Sequence, residues 1–280
     1  MGAEQNLNEG KLDETLAQLQ QEVRQNPADA KLRIFLFQLY CVLGEWQKAL
    51  NQLNVLREMD AETLPMVQTY QEAVQCEALR GQVFAGGRTP LLFGEPEPWL
   101  ALLLEALKLT ARQEHERAGE LRARSLEQAP TTGGRCNDRP FAWLMDADPR
   151  LGPVLEAVIN GRYYWIPFQH MRRIELEPPA DLRDLVWLPA HFTWANGGQT
   201  VGLIPVRYPG SEQSADHAIR MARKTDWRTI DEATQLGLGQ RLLATDADDY
   251  PLLELRALEF DVMDSAAIPS DTTEAEQGHG

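Results

Sequence analysis

Asp146, Asp148 and Glu156 lie close together along the chain, and they are the residues best placed to do chemistry. Paired carboxylates can act as general acid and general base, or bind a hard divalent cation through oxygen ligands. On that reading Asp146 and Asp148 would serve a metal-dependent or hydrolytic enzyme. A plainer reading competes. Asp148 precedes Pro149, whose missing N–H costs nothing at the first position of a helix, and the carboxylate would cap the first turn for about 1 kcal/mol. The five histidines (His115, His170, His191, His217 and His279) show no zinc-ligand spacing, and no Cys-x-x-Cys pair exists. Cys136 sits near Arg135 and Arg139, which would lower a thiol pKa, yet a nucleophilic cysteine also needs a positioned base and none is evident. Gly237-Leu238-Gly239 is half of a phosphate loop, without the third glycine or a lysine. The expectation is a chain with no catalytic centre, no metal and no cofactor.

The carboxylates belong to residues 139–168, which look like a docking core built from an unusual density of aromatic, acidic and apolar residues. Leu151, Val154, Leu155, Val158 and Ile159 fall at helical spacing, so a helix is expected from Pro149 until Gly161 ends it as a left-handed C-cap. An aromatic strand follows over 163–168. Further strands are expected over 172–176, 185–188, 191–194 and 200–206, the last two joined through Asn196-Gly197-Gly198, since Asn-Gly supplies the positive φ of a tight hairpin. Residues 218–222, 240–244 and 252–260 read as strand or helix. Strands in succession without long crossovers predict a mostly antiparallel sheet and an α+β domain over residues 139–260.

The N-terminal part reads differently. Gly10, Leu12, Leu16 and Leu19 recur as Gly44, Trp46, Leu50 and Leu53, an offset of 34 residues that is the period of tetratricopeptide helix hairpins. Residues 1–130 are therefore expected to form a short helical array, with helices also over 65–80, 98–110 and 112–128. Such hairpins stack and leave a concave surface that commonly receives a peptide or helix. Residues 131–138, Thr-Thr-Gly-Gly-Arg-Cys-Asn-Asp, read as a flexible linker, and the acidic residues 261–280 as a disordered tail. The whole is then an α+β protein of two domains.

Across 280 residues the net charge is −15, spread along the chain, which argues against a nucleic acid or an anionic membrane as partner. The longest clean apolar run, Trp99 to Leu104, is far shorter than a membrane span, and Met1 to Glu14 lacks the basic and apolar regions of a secretory signal. Three widely spaced cysteines suit reduced thiols, so a cytoplasmic location is expected.

Six motifs in order carry a family resemblance: Asp146-Ala-Asp148-Pro-Arg150-Leu-Gly152-Pro153, Gly161-Arg-Tyr-Tyr-Trp-Ile-Pro167, Pro178-Pro179 with Asp181-Leu-Arg183-Asp184-Leu-Val-Trp187, Ile204-Pro205 with Arg207-Tyr208, Lys224-Thr-Asp-Trp227, and Gly237-Leu-Gly-Gln-Arg241. Together they resemble the ImpE family, also called TagJ, accessory proteins of bacterial type VI secretion. The resemblance implies a non-enzymatic cytoplasmic adaptor of the contractile sheath. It would bind the small sheath subunit TssB through that subunit's N-terminal helix and be linked to the sheath-recycling ATPase ClpV. It carries over no catalytic residues. The expected partner-binding residues are Arg33, Phe37 and Tyr40 on the concave face of the repeats, and Trp143, Asp146, Asp148, Arg150, Trp165, Arg183 and Asp184 in the second half, where arginine and tryptophan mix as they do at binding hot spots. The rival readings are the Asp146/Asp148 enzyme and a repeat chaperone that holds helices without selectivity.

Overall fold

The structure, a computed structural model, describes residues 3–94, 96–231 and 234–261. Seven helices come first: α1 (Ala3–Asn8), α2 (Leu12–Gln25), α3 (Ala30–Val42), α4 (Trp46–Met59), α5 (Leu64–Phe84), α6 (Pro98–Ala111) and α7 (His115–Gln128). The repeat seen in the sequence returns as geometry. α2 and α4 start at the equivalent residues Leu12 and Trp46, each after a glycine at positive φ, Gly10 at +76° and Gly44 at +72°. Leu19 and Leu53, also equivalent, are fully buried, and Ala49 packs where α3 and α4 approach. Asp29 caps α3, accepting from the backbone N–H of Lys31 and Leu32.

One short strand, β1 (Leu91–Leu92), lies among the helices, and the others follow: β2 (Gly134–Cys136), β3 (Arg139–Phe141), β4 (Leu144–Asp146), β5 (Val154–Ile159), β6 (Arg162–Pro167), β7 (Met171–Leu176), β8 (Trp187–Trp194), β9 (Gln199–Pro205), β10 (Thr225–Thr229), β11 (Gln235–Gly239), β12 (Leu242–Thr245), β13 (Asp249–Pro251) and β14 (Ala257–Phe260), with the single-turn helix α8 (His217–Arg220) before β10. Nine strands form one sheet in the order β1-β6-β5-β9-β8-β7-β14-β2-β3. All its pairings are antiparallel except β1 with β6. β13, β12 and β4 make a second sheet, and β10 with β11 a two-stranded ribbon. The class is α+β, as expected.

The helices cover one face of the large sheet. Strand alternation sorts the side chains: Val154 and Val158 of β5, Tyr163 and Trp165 of β6 and Trp187 of β8 join Phe37, Tyr70 and Trp99 of the helices in one apolar cluster. Their neighbours Leu155, Ala157, Ile159, Ile166, Leu188 and Phe192 point the other way, into a second cluster with Leu243 of β12 and Leu258 of β14. The array and the sheet therefore share a core.

Several expectations are overturned. Residues 149–161 are not a helix. β5 occupies 154–159 and every residue of it is buried, so its apolar run faces a core on both sides and mimics the spacing of a buried helix. Its length of six residues is a strand's. Asn160 and Gly161, at φ +50° and +69°, form the two-residue turn of the β5–β6 hairpin, where positive φ at both positions matches the strand twist. Residues 131–138 are not a loose connection: β2 pairs with β14 and β3, and a Cβ on Gly134 would sit 2.0 Å from the Glu259 carbonyl oxygen, so that glycine serves close strand approach. The strands expected over 185–188 and 191–194 are one strand, β8, which starts at Trp187 and runs through Pro189, while Leu185 ends a helical turn over 182–185. Of residues 218–222, 218–220 lie in α8. The expected tail beyond Asp261 lies outside the described residues.

Candidate functional site

The carboxylates that opened the argument converge, but as an interior network. Glu156, on the helix-facing side of β5, receives Arg80 of α5 through two bonds, Nε to Oε1 at 2.7 Å and Nη2 to Oε2 at 2.9 Å. Tyr163 donates its hydroxyl to Glu156 Oε1, Trp165 Nε1 donates to the Tyr163 hydroxyl at 2.7 Å, and Arg241 Nη2 donates to Glu156 Oε2. Arg241 Nε also lies 3.3 Å from Asp146 Oδ2, an ion contact that is not aligned as a hydrogen bond. Asp146 Oδ1 accepts from the Tyr208 hydroxyl at 2.9 Å and from the backbone N–H of Asp148 at 2.8 Å. Asp148 does not cap a helix. It grips Arg150, accepting from its backbone N–H at 2.9 Å and its guanidinium at 2.5 Å, and accepts the Gly237 N–H at 2.8 Å. This explains the clustering of Asp148, Arg150 and Gly237 in separate motifs: they meet in one buried loop junction.

Environment separates the two acids. Burial works to raise the Glu156 pKa, but Arg80 and Arg241 overcome it and hold the group at about 2. Burial dominates at Asp146, pushing it to about 7 despite Arg241, with Asp148 adding repulsion. Asp146, Asp148 and Glu156 are at most 1 % exposed and each already faces a guanidinium, so no carboxylate here has an open side for a metal or substrate. Among the described residues no group of three or more His, Cys, Asp or Glu side chains is arranged to hold a metal ion. Cys136 is buried in apolar surroundings that push its thiol up to about 12, the reverse of an activated nucleophile.

The remaining expected residues divide by burial. Phe37 and Trp165 are fully buried, and Tyr40 is nearly so with its hydroxyl accepting from Gln20 at 3.1 Å. All three sit in the shared core and are not presented to a partner. Arg33 is half-buried, donating to the Pro27 carbonyl at 2.8 Å and to Gln52 at 3.1 Å. Trp143 is half-buried beside β4. Arg183 lies over the Tyr70 ring at 4.7 Å and pairs with Asp181, so it docks its segment against α5, while Asp184 accepts the backbone N–H groups of Ala180 and Asp181 and closes the 181–184 turn.

The structure does hold an open concave site, on residues that the sequence reading passed over. A groove of about 500 Å³ is lined by Lys31, Ile34, Phe35 and Gln38 of α3, by Leu7 of α1, and by Leu182 with its neighbours. Lys31, Ile34, Phe35 and Gln38 stand at i, i+3, i+4 and i+7, one stripe of α3 turned away from Phe37 and Tyr40. The available signal was that α3, Ala-Lys-Leu-Arg-Ile-Phe-Leu-Phe-Gln-Leu-Tyr-Cys-Val, is apolar around most of its circumference, more than one core face requires. The groove wall opposite α1 comes from residues 180–182, held beside α3 by contacts of the 182–185 turn with that helix, and Arg207 fixes the far end of α3 by donating from Nη1 and Nη2 to its C-terminal carbonyls, Val42 at 2.7 Å and Cys41 at 3.2 Å.

Comparison with known proteins agrees with this architecture. Residues 138–259 match the family model described as ImpE protein, and residues 7–73 match a tetratricopeptide repeat model. The chain is 52% identical over 265 residues to the type VI secretion system accessory component TagJ of Pseudomonas aeruginosa, covering 95% of this chain and 93% of that protein. The crystal structure of protein VPA1032 from Vibrio parahaemolyticus superposes with a TM-score of 0.84 at 27% identity, covering 92% of this chain and 97% of that one. By its sequence identity along nearly its whole length, and by the matched domain that contains the Asp146–Arg241–Glu156 network, the chain belongs to the ImpE family.

Proposed function

We propose that the protein is a non-enzymatic accessory component of a type VI secretion system, a cytoplasmic adaptor that binds the N-terminal helix of the small sheath subunit TssB and assists ClpV-linked sheath turnover. The observation that carries this reading is the α1/α3 groove. A stripe at i, i+3, i+4 and i+7 is the pattern with which one helix receives another, and Leu7, Ile34, Phe35 and Leu182 supply an apolar floor between Lys31 and Asp181. The relative's description as a type VI secretion accessory component and the tetratricopeptide match support a protein partner.

Calorimetric titration with a peptide of the TssB N-terminal helix from the same organism, beside a scrambled peptide, tests it. Micromolar binding with a negative heat-capacity change is expected for burial of an apolar helix face. Phe35→Asp, at a half-buried position that also packs against the core, should lower the melting temperature but leave the chain folded by circular dichroism, and weaken binding at least about tenfold, as loss of a central anchor does. Failure of both the peptide and full-length TssB to bind would sink the partner, and unchanged binding by Phe35→Asp would move it away from the groove.

A further inference from the structure

Independently of that groove, we propose that a cavity bounded by α6, α7 and the β10–β11 ribbon binds a phosphate-bearing ligand of nucleotide size. Two adjoining hollows of about 490 and 350 Å³ share Arg150, Arg228 and Leu236. Their volumes fall in the range that holds small organic ligands, roughly 300–1,000 Å³. Among the described residues none that lines either one is acidic, in a chain whose net charge is −15. The site is thus an exception to the charge of the molecule around it.

Its two guanidinium groups are differently prepared. Asp148 takes Nε and Nη2 of Arg150 and stops the side chain from moving, and the guanidinium lies 5.2 Å from the centre of the Phe84 ring. Nη1 remains without a protein acceptor among the described residues, on a group already ordered before any ligand arrives. Arg228 is exposed on β10 and has no hydrogen bond or ion pair from its side chain among the described residues, although the chain offers 42 carboxylates. Two such forks converging on one space suit the oxygens of a phosphate better than a single point charge would. His115 adds a ring whose Nδ1 has no hydrogen-bond partner, at the first turn of α7, where no side chain caps the backbone N–H groups.

Nearby acids are already engaged. Asp148 holds Arg150 and the Gly237 N–H, Glu114 pairs with Arg117 at 2.5 Å, and Asp231 attracts Arg122, which itself donates to Thr110 and Thr234. The remaining wall is mixed: Phe84, Ile230 and Leu236 give the larger hollow an apolar patch beside the uncharged polar side chains of Thr110 and Gln113. Chemistry of this kind fits an anionic head on an apolar body, with the head between Arg150 and Arg228 and the body against Phe84 and Leu236.

The test titrates the full chain with adenosine 5′-monophosphate, inorganic phosphate and adenosine, by calorimetry and by thermal shift. Expected is binding of the monophosphate at least tenfold tighter than that of inorganic phosphate, with none by adenosine. Arg228→Ala, which removes no side-chain hydrogen bond or ion pair among the described residues, should leave the unliganded melting temperature unchanged and weaken the monophosphate at least tenfold, and Arg228→Lys should recover part of the loss. No binding of any probe at millimolar concentration would overturn the proposal. So would binding that Arg228→Ala and the Arg228→Ala/His115→Ala pair leave unchanged, because the ion would then sit elsewhere. Equal affinity for phosphate and monophosphate would overturn the assignment of the apolar wall to a ligand body.

Discussion

At Glu156 two guanidinium groups and a phenol converge on one fully buried carboxylate. Removing a partner from such a set is costly because the others stay buried and uncompensated, so Glu156→Gln should destabilise the protein by roughly 3–5 kcal/mol, read from urea unfolding. Asp146 behaves oppositely with pH. Its folded pKa, about 7, lies above the ordinary 3.8, so the folded state favours the protonated acid. The stability this contributes is present below pH 4 and is lost as pH rises toward 7. Glu156, held at about 2 against an ordinary 4.5, contributes stability above pH 4.5 that is lost as pH falls toward 2. The urea midpoint of the wild type should therefore decline from pH 5 to pH 8, and Asp146→Asn should flatten that limb while keeping the acid limb. An identical decline in the variant would show that another group titrates there.

At the scale of elements, the β5–β6 hairpin is the piece most dependent on its turn. Gly161 at φ +69° needs a conformation that costs an L-residue about 1–2 kcal/mol, and a Cβ there would lie 2.7 Å from the Glu72 carboxylate. The atoms met are the far end of the flexible, half-buried Glu72 side chain, which can swing aside, so Gly161→Ala should cost about 1–2 kcal/mol by backbone strain alone, with the denaturant slope unchanged. A cost near zero would mean the turn relaxes to another type. The same hairpin explains why the helix expectation failed: residues 154–159 face two cores, and a strand buried on both sides shows no period-two alternation of apolar and polar residues. In α3 the surplus of apolar residues over one core face was visible, but which face stayed open depended on how α1 and residues 180–182 packed beside it.

For the molecule as a whole, one apolar cluster contains residues of both halves, and Arg80 and Arg207 bind across the junction. Unfolding should accordingly be a single transition, with tryptophan fluorescence, which reports Trp165 and Trp187 at the shared core, and helical circular dichroism giving the same midpoint. Two separated midpoints would show that the halves fold independently. A chain cut after residue 130 would expose the faces of α4 and α5 that Trp187 and Trp165 cover, and should precipitate or lose helicity. Among the described residues no helix is long and apolar enough to cross a membrane, in keeping with the charge distribution.

Local rules were enough for much of this protein. The 34-residue repeat and the helical runs over 65–80, 98–110 and 112–128 placed the helices, because helix periodicity is set by neighbours three or four residues away. The hairpin at residues 194–198 and the strands from β6 to β9 were legible from local pattern too, whereas β10, β11 and β13 were not foreseen, and the ordered motifs from Asp146 to Arg241 carried the family. Tertiary structure alone decided the rest. Asp146 and Asp148 look alike in sequence, yet one becomes a buried acid whose pKa burial raises to about 7 and the other a clamp on Arg150 and the Gly237 N–H, since the partners Tyr208, Gly237 and Arg241 arrive from distant segments. Phe37 and Phe35, two residues apart on one helix, end in the core and in the groove, because which side of α3 the sheet would cover depends on contacts more than a hundred residues away.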